Sequence, residues 1–138
     1  MDKYNDSSEI IEKALTFELV LDTTTESYDL GFCKPIQNEN IVGIMMRAHS
    51  NSKKSEKGRQ LAAATVIENA HITFVDNANS KLISMPLEHL VNGNKDIGRY
   101  ANVHLNCFDA YKSELKLGAV TGITANDVIE ITFLYEMK

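Results

Sequence analysis

The chain has 138 residues, the size of one domain rather than two. Hydrophobic residues make up 43% and charged residues 24%, proportions of an ordinary globular fold, which excludes collagen-like and low-complexity classes. The net charge of −5 argues against broad, charge-driven nucleic-acid binding, and no apolar run is long enough for a membrane-spanning helix.

Residues 1–8 are polar and read as an arm. Asp6 is a candidate N-cap, with Glu9 three residues on, for a short amphipathic segment from Glu9 to Leu15. The predicted organisation is therefore an N-terminal arm or helix over 1–15 and one β-domain over 16–138. The N-terminus lacks an apolar core segment, so no signal peptide is expected.

From Phe17 onward the pattern has period two. Phe17, Leu19 and Leu21 predict a first strand. Asp22–Ser27 reads as a polar turn, and Tyr28–Asn40 as a long connection containing Pro35. Ile41–His49 places Val42, Ile44, Met46 and Ala48 on one face. Asn51–Gln60 is polar throughout and reads as a loop. The β-branched Thr65, Val66 and Ile67 make Leu61–Ile67 a strand despite its alanines. Ala70, Ile72 and Phe74 alternate with His71, Thr73 and Val75; a turn over Asp76–Ser80 leads into Leu82–Leu87, which makes a hairpin. Pro86 ends that strand, and Leu87–Val91 forms a helical turn. Tyr100–Phe108 has the clearest alternation, with Ala101, Val103, Leu105 and Cys107 inward and Tyr100, Asn102, His104, Asn106 and Phe108 outward. Ser113–Val120 and Ile129–Met137 complete the set.

About eight strands with one apolar face each require antiparallel pairing and an all-β, two-sheet sandwich or barrel. The uneven spacing, with a long loop after the second strand, favours Greek-key or jelly-roll connectivity, the latter an eight-stranded jelly roll, over a simple meander. No repeat of 20–50 residues is present.

Chemistry-bearing residues do not converge. The four histidines (His49, His71, His89 and His104) form no metal-ligand spacing, and there is no nucleophile elbow or phosphate loop. The reading is of a non-enzyme without a cofactor or metal. The aspartates fall mostly at strand ends, where they make turns and caps; Asp76–Ser80 lacks the glycine and glutamate of a calcium loop. Cys33 and Cys107 suit a reducing compartment as free thiols, Cys107 as a small buried hydrophobe. The basic cluster Lys53, Lys54, Lys57 and Arg59 is a candidate contact with an acidic neighbour or with packaged nucleic acid, against a solvated loop tip as the plainer reading. With Phe17, Phe74 and Phe133 assigned to the core, Tyr28, Phe32, Tyr100, Phe108 and Tyr111 remain as aromatic contact candidates. The outward face bearing Tyr100, Asn102, His104 and Asn106 suits a wet subunit contact.

Ile41–Ile44, the loop Ser52–Gly58, Ile72–Asn77 running into Ile83–Leu87, and the closing Val128–Tyr135 together resemble a small virion protein of a bacteriophage. More narrowly, residues 15–137 resemble the single jelly-roll vertex (penton) or minor capsid proteins of tailless icosahedral phages. That resemblance implies assembly through loops and sheet edges into a homo-oligomer, a ring of five at a vertex, alongside other capsid proteins. It also implies an arm reaching a neighbour, a location in the virion after synthesis in the host cytoplasm, and no catalytic residues. The loop Asn51–Gln60 and the connection Tyr28–Asn40 are then the contact candidates. Two rivals stand beside it: a carbohydrate- or receptor-binding β-sandwich module using Tyr100 or Tyr111, and a small cupin-type enzyme, which would need clustered metal-binding histidines that this sequence lacks.

Overall fold

In the computed structural model the described residues are 11–49, 69–90, 100–118 and 127–137. They hold seven strands: β1 (Ile11–Val20), β2 (Ser27–Asp29), β3 (Asn40–His49), β4 (His71–Asp76), β5 (Lys81–Pro86), β6 (Glu114–Lys116) and β7 (Val128–Met137). These form two antiparallel sheets, β1-β7-β3 and β2-β6-β4-β5. The protein is all-β, as the period-two pattern predicts. The strands alternate because each sheet buries one face. Leu19, Ile44, Met46, Ala48, Ile129, Ile131 and Phe133 of the first sheet are buried, as are Ile72, Phe74 and Leu115 of the second. Each fully buried Leu, Ile or Phe contributes roughly 1.5–3 kcal/mol from apolar burial alone.

The element boundaries differ from expectation in physically informative ways. β1 begins at Ile11, so residues 11–15 are strand rather than arm or helix, drawn into the sheet by continuous pairing with β7 from Ile11↔Met137 to Val20↔Val128. β2 lies inside the stretch read as turn and connection, and is only three residues long. The Tyr28–Asn40 connection contains a 3-10 segment, Gly31–Ile36, which buries Cys33 and Ile36. In β3 the inward set is Ile41, Ile44, Met46 and Ala48, with Val42 only half-buried. A bulge between Ile41 and Gly43 inserts one extra residue and moves the inward position from Val42 to Ile41. The hairpin is as expected: β4 pairs β5 from His71↔Pro86 to Asp76↔Lys81, and a 3-10 turn, Leu87–His89, follows Pro86. The expected strand Leu61–Ile67 and the loop 51–60 lie outside the described residues.

The largest difference concerns residues 100–108. They are extended but join the sheets only through isolated bridges: Ile44↔Ala101 and Ile41↔Leu105 to β3, then Asp76↔Phe108 to β4. The segment therefore runs along the free edge of β3 and crosses to the other sheet. There Asp109 N–H donates to Val75 O (3.1 Å), and the chain continues into β6. The crossing happens at Cys107, which has φ 58°, a left-handed conformation that breaks strand alternation. Phe108, expected outward, is consequently fully buried. Cys107 itself is only half-buried.

That inversion completes the core. All five phenylalanines form one string: Phe32–Phe17 (6.3 Å between ring centroids), Phe17–Phe133 (5.9 Å), Phe133–Phe108 (5.3 Å) and Phe108–Phe74 (6.2 Å). Phe108 links the two sheets, standing between Phe133 of the first and Phe74 of the second. Edge-on and tilted pairs of this kind add about 0.5–1.5 kcal/mol each beyond area burial.

Candidate functional site

The densest polar structure lies at the crossing, where three loops meet. Asp109 caps the 3-10 turn Ala110–Lys112: its Oδ1 accepts from Tyr111 N–H (3.1 Å), Lys112 N–H (3.3 Å) and Gln37 Nε2 (3.2 Å), and its Oδ2 accepts from Asn77 Nδ2 (3.0 Å). Gln37 returns a bond, accepting from Ala110 N–H at 2.7 Å. Ser113 Oγ donates to Asp109 O (2.7 Å) and accepts from Val75 N–H (3.0 Å). Beside it, Asp76 Oδ1 accepts from Asn79 N–H (3.0 Å), and Oδ2 accepts from Asn79 Nδ2 (3.1 Å) and Asn106 N–H (3.0 Å). Asn40 Oδ1 accepts from Cys107 N–H at 3.1 Å, holding the left-handed residue in place.

Asp76 and Asp109 are 2% and 6% exposed. Burial pushes both carboxyls up, but the hydrogen bonds outweigh it. Those from Asn106 and Asn79 at Asp76, and from Asn77 and Gln37 at Asp109, hold both below the usual carboxylate range. Both are therefore anions whose lone pairs already face N–H donors. Such groups do not take up a proton near neutral pH. What the cluster does is mechanical: it ties the β2–β3 connection, the β4–β5 hairpin and the crossing segment into one rim. The sequence signal was present, since aspartates at strand ends predict caps and turns. That Asp76, Asp109, Gln37, Asn40 and Asn77 act together was not readable, because they meet only once the segment crosses between sheets.

Of the aromatic residues singled out from sequence, Tyr111 stands furthest into solvent, at 58% exposed. It rides on the rim, its ring over Gly31, 3.5 Å from where a Cβ there would stand. His104 is also exposed, on the crossing segment. Tyr28 is half-buried against the core, and its hydroxyl accepts from Asp22 N–H at 3.1 Å. Phe32 is half-buried at the end of the phenylalanine string. Tyr100 is half-buried against Gly43, where an added Cβ would come within 3.2 Å of it. These aromatics do not gather into one platform: Tyr28 and Phe32 serve packing, and among the described tyrosines Tyr111 alone projects. Lys53, Lys54, Lys57 and Arg59 lie outside the described residues.

Among the described residues no three His, Cys, Asp or Glu side chains come together as a metal site. Both cysteines are free, and burial pushes the Cys33 thiol up to about 12. No helix among the described residues is long and apolar enough to cross a membrane. Comparison with known protein families, with curated proteins and with solved structures finds no match for this chain.

Proposed function

We propose that this chain is a non-enzymatic structural component of a virus particle, a vertex or minor capsid protein that assembles with copies of itself and with other capsid proteins. The reading starts from the fold. A jelly roll sets its first, last, third and sixth strands side by side in one sheet, and its second, seventh, fourth and fifth in the other. Counting the 100–108 segment as the sixth strand, the order here is β1, β7, β3, 100–108 and then β2, β6, β4, β5. That order is the single observation that carries the proposal. Jelly rolls serve as capsid, lectin and cupin domains. The stapled rim fits the first of these, because it offers a preformed contact surface and its carboxylates are engaged in tying the rim loops together. The step from this architecture to a virion is fold-level analogy, joined to the sequence resemblance described above.

The test is physical association with particles. Lysate of cells producing the chain is fractionated on a density gradient and probed with an antibody against it. Co-sedimentation with particles, persisting through a high-salt wash, is the expected result. A chain that stays entirely with free protein while particles band below overturns the reading. The projecting Tyr111 favours one alternative, a carbohydrate-binding module. Binding on a glycan array that disappears in Tyr111→Ala would establish it instead.

A further inference from the structure

We infer that β1 is an assembly edge, and that two copies of this chain pair antiparallel along it about a two-fold axis through Thr16. The inference goes beyond the proposed virion role and does not depend on it.

The argument begins with the four sheet edges. An exposed edge is a template for another strand unless it is shortened, covered or guarded by proline or charge. β2 is three residues long. β5 has six residues, bounded by Lys81 and Pro86. The outer edge of β3 is covered: Ile41 and Ile44 exchange hydrogen bonds with Leu105 and Ala101, and Met46 N–H donates to Leu90 O at 3.0 Å. β1 is different. It has ten residues and no proline, its register with β7 runs without a bulge, and no described residue pairs with its other edge. Its guards are charges near the two ends, Glu12 and Lys13 at the beginning and Glu18 toward the end, which leave Ala14, Leu15, Thr16 and Phe17 unguarded. Leu15 and Val20 are 36% and 51% exposed.

The free bonding groups can be assigned. Leu21 N–H donates to Asp127 O at 2.8 Å, so Leu21 and Asp127 form a hydrogen-bonded pair. Alternation along an antiparallel ladder then points the backbone groups of Lys13, Leu15, Phe17 and Leu19 toward β7. Those of Glu12, Ala14, Thr16, Glu18 and Val20 point away, to the open edge.

Charge and length together select the partner register: axes through Ala14, Thr16 and Phe17 oppose no like charges within β1, and of these the Thr16 axis pairs the longest stretch. Residues facing each other across antiparallel strands lie on the same sheet face, so the axis passes through a residue. An axis through Leu15 pairs 11–19 of both copies but sets Glu12 against Glu18 twice. An axis through Lys13 sets that lysine against its own copy. An axis through Thr16 pairs 12–20 of both copies with no like charges directly opposed: Glu12 faces Val20, Ala14 faces Glu18, and Lys13 faces Leu19. It also sets the exposed Leu15 against Phe17 of the second copy, an apolar pair on the face that turns toward the core. The contact is isologous, so it closes at two copies.

The test is sedimentation of the full chain across the micromolar range, for wild type, Thr16→Pro and Thr16→Lys. Wild type is expected at twice the 15.4 kDa monomer mass. Thr16→Pro removes an N–H that faces outward, so it should leave the circular-dichroism spectrum unchanged while halving the mass. Thr16→Lys keeps the N–H but opposes two lysines on the axis, and should halve the mass as well; it decides the matter if the proline variant does not fold. Amide exchange gives an independent reading, with Ala14, Thr16 and Glu18 protected only in the dimer. A wild type that stays monomeric overturns the inference. So does a dimer that survives both substitutions, or one in which those amides exchange freely.

Discussion

Asp109→Ala tests the rim directly. The substitution deletes an acceptor that receives four N–H groups, from Tyr111, Lys112, Gln37 and Asn77. Losing the cap costs about 1 kcal/mol. Leaving Gln37 and Asn77 without their charged acceptor adds about 2 kcal/mol, within the range for hydrogen bonds to ionised groups. A loss near 3 kcal/mol in a domain of this size lowers Tm by about 9–15 °C. Asp22→Ala is the control. Asp22 also accepts four hydrogen bonds, from the N–H and hydroxyl groups of Thr24 and Thr25, but it is exposed and water replaces them. Its Tm shift should be less than half that of Asp109→Ala, by calorimetry. The pH dependence has a definite sign. Because Asp109 is held below the ordinary carboxylate value when folded, its contribution is complete above the unfolded value, near 4, and is lost as pH falls through the folded value. The gap between wild type and variant should be full at neutral pH and narrow below about pH 4. Equal losses for the two variants, or a gap that persists in acid, would refute the claim that burial and charge make this cluster stabilising.

Phe108→Ala removes the ring joining the two sheets and should cost about 3–5 kcal/mol in urea unfolding, where a surface position would cost almost nothing. Gly118 has φ 78°, and an added Cβ would stand 2.5 Å from Asn69 O; Gly118→Ala should destabilise by about 2 kcal/mol or more by the same measurement. In a thiol titration at pH 8, Cys107 should react first and Cys33 only on unfolding, since burial keeps the Cys33 thiol protonated to about 12. Equal rates for the two thiols would contradict the burial of Cys33 within the Gly31–Ile36 segment.

Period-two alternation made β4, β5 and β7 legible, because one face of each turns inward: Ile72 and Phe74 of β4 and Ile129, Ile131 and Phe133 of β7 are buried, and Ile83 and Met85 of β5 are half-buried against them. It failed where one residue resets the phase. The bulge at β3 exchanges Val42 for Ile41, and the left-handed Cys107 turns Phe108 from the surface into the phenylalanine string, between Phe133 and Phe74. Neither event has a strong local signature: Gly43 follows the bulge, but Cys107 is not a residue that favours positive φ. β2 was hidden for a different reason. A three-residue strand is too short to show a period, and it is fixed by pairing with β6, distant in sequence. The rim was half legible. The capping role of Asp109 could be suspected from its place at a strand end, whereas its bonds to Gln37 and Asn77 depend on the crossing.

The crossing also decides how contacts at the rim can work. A loop that must be ordered before it binds costs about 0.5–1.5 kcal/mol for each side chain immobilised. Here that ordering is done during folding, because Asp109 and Ser113 fix the turn that presents Tyr111. Contact and positioning are therefore separable. Tyr111→Ala removes an exposed ring that caps no backbone group, so it should weaken any rim contact while leaving Tm nearly unchanged. Asp109→Ala leaves the ring in place but frees its backbone, so it should weaken the same contact only together with a fall in Tm. Suppressing that fall with a stabilising substitution elsewhere should not restore the contact, because the cap that aims Tyr111 would still be missing. If it did restore the contact, the rim would be stable ballast and not a preformed surface.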